Sequence, residues 1–418
     1  MTSTKPELAD SDFAIDTRTS TVPEYLRAYL GRVRGGDMGA LPAVLGLVVL
    51  GIVFSVTTER FFSLLNISNL IVQAGPICLL AMGLVPVLLL GEIDLSAGVA
   101  GGTSAGFTAL AIVDHGQHWT VAVAVGLLVG ALIGLAVGAL VAILGIPSFV
   151  VSLAFFLGLQ GVLLWLIGEG GSIRVADEVL RGLTINNVGV TAGWVVAVLV
   201  AAVFAGGTLW QHRQRVAKGL QHPPFPVVVV RVVAISLVIL AVPFLLNQNR
   251  GRPTFPIQGI PWVLPVVVVL LLVWTFVLTR TTFGRYLYAV GGNAEAARRA
   301  GVNVVRIKVS AFVFCSMMAA ASGIVQASYT GKVSASSGGG NVLLYAVGAA
   351  VIGGVSLFGG RGRAVHAVIG GLTIATIANG LPLLVNESYA NYLVTGGVLL
   401  VAASVDALSR RRRSTAGV

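Results

Sequence analysis

The sequence predicts an all-α protein that crosses a membrane about twelve times, with both ends on the cytoplasmic side. Three observations predict it. Only 27 Lys+Arg and 16 Asp+Glu occur in 418 residues, about a tenth of the chain where a soluble domain has about a quarter. Apolar residues make up 56% and glycine fills 53 positions, enough for on the order of a dozen spans of about 20 residues each. The basic residues are also unevenly placed, and their placement orients the chain.

Apolar segments, charge-free but for Arg231, set the spans near residues 40 to 57, 67 to 90, 96 to 113, 119 to 144, 147 to 167, 192 to 209, 227 to 246, 261 to 279, 309 to 328, 343 to 358, 364 to 385 and 388 to 405. With the N-terminus inside, 21 of the 27 basic residues fall on inside segments, among them Arg213, Arg215, Lys218 and Arg231, the six from Arg280 to Lys308, and Arg410 to Arg413. The outside keeps Arg60, Arg174, Arg181, Arg250, Arg252 and Lys332. Lys and Arg concentrate in cytoplasmic loops of membrane proteins, so this split sets the orientation and an even span count. The net charge of +11 is then topological. Its residues never form a stripe with interleaved aromatics, which argues against nucleic acid as a partner.

Residues 1–38 lack the basic n-region and small-residue cleavage site of a signal peptide. They read as a cytoplasmic tail, with Leu41 to Val56 a retained first span, 39–408 the transmembrane domain and 409–418 a basic cytoplasmic tail. Within 25–34, Tyr25, Leu26, Tyr29, Leu30 and Val33 share one helical face. Such a segment either lies on anionic membrane lipid or is a disordered basic tail. Gly, Pro and Asn mark 168–191 and 247–260 as outer loops. Cys78 and Cys315 lie in apolar segments and read as small hydrophobes.

Glycines 126, 130, 134 and 138 stand four apart, lining one helix face where another backbone can approach closely, a packing feature rather than a site. The second span reads as broken, because Gln73-Ala74-Gly75-Pro76 and then Pro86 remove backbone donors. Broken helices are tolerated where they line a cavity or are covered by protein, so 66–96 is the expected pathway lining.

Catalytic chemistry finds little support. His115 and His118 share a short turn without a third metal ligand. No phosphate-cradling loop occurs, since Gly331-Lys332 lacks its upstream glycine at Gln326. The expected spans hold no Asp or Glu, and the only acids tightly flanked by two spans are Glu92 and Asp94 in G-E-I-D-L-S, residues 91–96. Asp94 with Ser96 reads either as a helix cap or as a pathway residue.

The most specific stretch is T-F-G-R-Y-L-Y-A-V-G-G-N-A-E-A-A-R-R-A-G-V-N, residues 282–303. Asn293 is a good N-cap, Ala294 to Ala300 make two helical turns and Gly301 suits the C′ position. Glu295 near the positive end and Arg298 and Arg299 near the negative end complement the helix dipole. A helix this short is marginal alone and makes sense docked into a cytoplasmic partner.

Here the sequence resembles a family. Glu295-Ala296-Ala297, three residues and then Gly301 is similar to the E-A-A-x-x-x-G loop of bacterial ABC importer permeases. The surrounding Gly284-Arg285 and Gly291-Gly292-Asn293, G-E-I-D-L-S at 91 and G-G-V-S-L-F-G-G-R-G at 353–362 resemble the ribose/xylose branch of monosaccharide permeases. The likeness covers roughly 60–168 and 261–408. It departs in lacking an Ile-x-Leu-Pro after the glycine, and in a hairpin at 192–260 that looks added to a ten-span core. The added length resembles xylose-type more than ribose-type permeases.

The resemblance implies a non-enzymatic permease subunit, carrying xylose or a related pentose by alternating access. It implies a second permease copy, an extracytoplasmic sugar-binding protein and an ABC ATPase, with ATP and Mg held on that ATPase and no cofactor in this chain. The loop at 280–308 would couple ATPase to spans. Candidate path residues are Glu92, Asp94 and Ser96 of the G-E-I-D-L-S stretch, with Gln73, Ser104, Gln160, Gln326 and Asn379, these five chosen by depth and polarity and each also readable as a helix-packing polar group. An ion-coupled carrier is disfavoured by the acid-free spans, and a passive channel by the docking helix.

Overall fold

The computed structural model describes residues 21–34 and 39–385, with 387, 389, 392–397, 400 and 404 beyond them. The span expected at 388–405 lies largely outside the described residues, and the tail at 409–418 wholly so. In chain order the helices are α1 (Val22–Arg34), α2 (Leu41–Thr57), α3 (Leu64–Leu89), α4 (Ala97–Val113), α5 (Trp119–Ala142), α6 (Ser148–Ile167), α7 (Glu178–Ile185), α8 (Val190–Ala217), α9 (Phe225–Leu246), α10 (Val263–Arg280), α11 (Thr282–Gly292), α12 (Ala294–Arg299), α13 (Val304–Thr330), α14 (Val342–Ile352) and α15 (Ala364–Gly380). Short strands β1 (Ser172–Arg174), β2 (Asn187–Val188), β3 (Ile260–Pro261) and β4 (Lys332–Ser334) punctuate them. Eight helical segments are long and apolar enough to span a bilayer, and α2, α4 and α14 are shorter apolar helices. The protein is an all-α polytopic membrane protein, and eleven of the twelve expected spans have an apolar helix among the described residues.

The described residues fall into two compact units, one of Gly189–Ile260 with α1, the other of the remaining elements. In the smaller unit α8 and α9 pair as a hairpin. Arg250 donates to the carbonyls of Leu246 and Gly259 at one end, and the rings of His212 and His222 meet edge to face at 5.0 Å at the other. Leu26 and Leu30 of α1 are exposed.

In the larger unit α13 packs against α5, α3 and α4, with Phe312 and Cys315 fully buried. The α5 glycines explain how closely. A Cβ on Gly130, Gly134 or Gly138 would fall against the α13 backbone at Ser316, Phe312 or Val309. The stripe is a packing seam.

Two expectations fail in opposite directions. The second span is not broken: α3 runs unbroken from Leu64 to Leu89 with Pro76 and Pro86 inside it. Pro86 offers no N–H to the Met82 carbonyl, and that carbonyl instead accepts the Trp274 indole N–H at 2.8 Å. Ser322 Oγ donates to the Pro76 carbonyl at 2.7 Å. At Pro86 the bond the proline costs is replaced by a neighbour, the Ser322 bond ties α13 to α3, and residues 74–89 stay buried apart from Ile77.

Conversely, the span expected at 343–358 is a half-span. Helix α14 has 11 residues, about 16 Å against a hydrocarbon core of about 30 Å. It is preceded by β4, which pairs antiparallel with β1 (Ile173 opposite Val333), and by irregular chain over 335–341. Gly338 there has φ +76°, a backbone that L side chains rarely adopt and that a helix cannot contain. The outer loop expected at 168–191 carries β1, α7 and β2, with Asp177 Oδ1 accepting from Leu180 N at 2.9 Å to cap α7.

Candidate coupling face and membrane pathway

Three stretches far apart in sequence meet at one end of the helices. Helix α3 ends at Leu89, and its carbonyl accepts from Gly360 N at 2.7 Å. A Cβ on Gly291 would collide with that same carbonyl, so glycine is what allows α11 to reach the crossing. Tyr288 of α11 donates its hydroxyl to the Gly362 carbonyl at 2.6 Å. Burial pushes the Tyr288 phenol up, with Arg363 opposing. Glu92, just after α3, pairs with Lys308 in the second turn of α13. G-E-I-D-L-S, the 282–303 stretch and G-G-V-S-L-F-G-G-R-G thus form one face.

The expected loop at 280–308 is mostly helical. Gly284, Arg285, Gly291 and Gly292 belong to α11 rather than to a turn, and Gly284 N donates to Thr281 Oγ1 at 3.3 Å at its start. Asn293 separates α11 from α12, and its Oδ1 accepts from Ala296 N at 2.9 Å. Glu295 pairs with Arg298 at 2.9 Å and Arg299 at 3.2 Å, all well exposed. Such pairs add little stability, and they leave a charged outer surface on α12. Ala297 is buried beneath it. Gly301 N bonds the Arg298 carbonyl and Val302 N the Ala297 carbonyl, a Schellman ending with Gly301 at φ +84°. No neighbour lies within 4 Å of a Cβ built there, so the demand for glycine is conformational, not steric.

The path candidates do not form one cluster. Asn379 Nδ2 donates to Gln73 Oε1 at 3.3 Å while its Oδ1 accepts from Asn66 at 2.8 Å, joining α3 to α15. Asp94 is buried, its Oδ1 accepting from Ser96 N at 2.9 Å and Ser96 Oγ at 2.6 Å at the start of α4. Ser104 is fully buried on α4, its Oγ without a partner among the described residues. Gln326 sits half-buried on α13. Gln160 of α6 stands apart from these: its Nε2 lies 3.2 Å from where a Gly339 Cβ would be. Lys308, Tyr288 and Trp274 were not singled out in the sequence, since each acts through a partner that only the fold brings near.

A family model described as "Branched-chain amino acid transport system / permease component" matches residues 66–403. The chain belongs to this family of permeases. It is 35% identical over 374 residues to the xylose transport system permease protein of Escherichia coli strain K12, covering 88% of this chain and 92% of that one. The Haemophilus influenzae xylose permease is 32% identical, covering 88% and 96%, and the ribose import permease of E. coli K12 is 30% identical, covering 87% and 92%. No solved structure matches. The permease is a multi-pass protein of the cell membrane and a transport component.

Proposed function

We propose that this permease carries a monosaccharide, xylose or a related pentose, inward through the cytoplasmic membrane, driven by ATP hydrolysed on a separate ABC ATPase. The observation that carries the reading is the meeting of three stretches at one end, with the short capped helix α12 at its surface. The named activities of the xylose and ribose relatives supply the substrate class. In this reading ATP, with Mg, stays on the ATPase, whose closure pushes on α12. Gly301 to Asn303 pass the motion to α13, which packs on three other spans, and alternating access follows without a chemical step. A sugar-binding protein delivers the substrate on the opposite side, and a second permease copy completes the transporter. Both termini and the 210–226 loop are cytoplasmic, as the basic split requires.

The family description also names branched-chain amino acids, and that reading makes a different demand, since an amino acid arrives with two charges. The experiment is uptake into vesicles holding permease, ATPase and binding protein, with ionic gradients collapsed. ATP-dependent accumulation of D-xylose or D-ribose, but not leucine, is expected. Accumulation that needs an ion gradient, or that proceeds without ATP, overturns the proposal.

A further inference from the structure

The irregular chain before α14 lies at the middle of the membrane. A Cβ on Gly98 or Gly102 of α4 would fall against the carbonyls of Gly338 and Ser337, and one on Gly101 against Ala319 and Gly323 of α13. Ala319 and Gly323 are eleven and seven residues from the end of α13 beside β4, or about 10–16 Å inward. Gly98 and Gly102 are fifteen and eleven residues from the matching end of α4, about 16–23 Å inward. Thr103 Oγ1 donates to the Leu159 carbonyl at 3.4 Å, which brings α6 and Gln160 to the same level. The contacted positions on α4 and α13 therefore lie about 10–23 Å inward, well inside an apolar core of about 30 Å.

At that depth the chain reads Ser334-Ala335-Ser336-Ser337-Gly338-Gly339-Gly340-Asn341. It is not sealed: Ser336 and Gly340 are exposed and Ser337, Gly339 and Asn341 half-buried. The side chains of Asn341 and Gln160 have no hydrogen-bond partner among the described residues. Ser337 Oγ accepts from Ser334 N at 2.9 Å and the Ser334 and Ser336 hydroxyls meet at 3.1 Å, but polar irregular chain persists at membrane depth only where it is covered or lines water. Along the same face of α4, toward the β1–β4 end, a cleft runs past Ala105, Ala109 and Ile112 to Arg174.

We propose that Ser336, Ser337, Gly339, Asn341 and Gln160 form the mid-membrane station where the transported solute is held, and that this solute is an uncharged polyol such as a pentose. The station offers hydroxyls, carboxamides and free backbone groups, which match the donors and acceptors of sugar hydroxyls. It holds no acid or base, so nothing there answers the ammonium or carboxylate of an amino acid. This rests on the sugar reading above, and the pathway moves away from 66–96.

The test is cysteine accessibility in the full transporter, with Cys78 and Cys315 replaced by serine. Ser336→Cys and Asn341→Cys should react with a small hydrophilic thiol reagent, and D-xylose or D-ribose, whichever the preparation accumulates, should slow the reaction severalfold. Gln160→Leu should raise the KM for uptake severalfold at unchanged ATPase assembly, with Gln160→Asn intermediate. Labelling at 336 and 341 that sugar does not slow, in a preparation that accumulates that sugar, would overturn the site. Absence of labelling at both positions would do the same. If no sugar is accumulated but leucine slows the labelling, the sugar reading fails while the station stands as an amino-acid site.

Discussion

Helix α3 and the stretch from Gly331 to Ile352 both carry helix-breaking residues, and they respond in opposite ways. In α3 two prolines leave the helix intact: each removes a single donor, and at Pro86 the Trp274 indole supplies another to the Met82 carbonyl. Between Gly331 and Asn341 no proline occurs, yet the helix is lost, because Gly338 and Gly340 take φ of +76° and +60°. A missing hydrogen bond can be replaced by a neighbour, whereas a reversed backbone turn cannot be absorbed into a helix. What marks an intramembrane break is therefore polar, glycine-dense chain rather than proline.

The contrast is broken most severely at Gly338. Gly338→Val combines positive φ with a Cβ thrust against Gly98, and is expected to cost about 3 kcal/mol or more. Membrane abundance and the melting temperature in detergent should both fall. Wild-type melting would mean that the break is not held in this form.

On the α3 side, Trp274→Phe leaves the Met82 carbonyl buried without its donor, at about 1–3 kcal/mol. Pro86→Ala restores an N–H for that carbonyl, so the two changes should not add: the double variant is expected to melt above Trp274→Phe alone. Strict additivity in the thermal melts would show that the indole bond does not compensate for the proline.

A smaller effect is expected where the two stretches run out at the motif face. Glu92→Gln removes the partner of Lys308, a half-buried pair, at about 1 kcal/mol. Glu92→Lys alone and Lys308→Glu alone should each lower uptake, and the exchanged double variant should recover part of it. No recovery would assign both positions roles other than their pairing.

The helices were legible because each span is a local property: an uninterrupted apolar run, bounded by Asn, Asp or Gly caps. The cap pattern of α12 was legible for the same reason, from Asn293 to Gly301. The convergence of residues 89–92, 288–291 and 356–362 was not, since no periodicity couples them. Nor was the depth of 335–341, which looks like any Ser-Gly loop until Gly98 and Gly102 of α4 are seen to receive it. The available signal was the spacing of Gly98, Gly101 and Gly102, which announces a close backbone approach without naming the partner.

Coupling through α12 is tested most directly by sugar-stimulated ATP hydrolysis in the reconstituted transporter, comparing wild type with Gly301→Val. Valine at φ +84° is strained by about 1 kcal/mol or more in a helix of six residues, while the spans are untouched. The expected result is equal membrane abundance and ATPase assembly, with stimulation by sugar largely lost. Wild-type stimulation in the variant would contradict a coupling role for this helix.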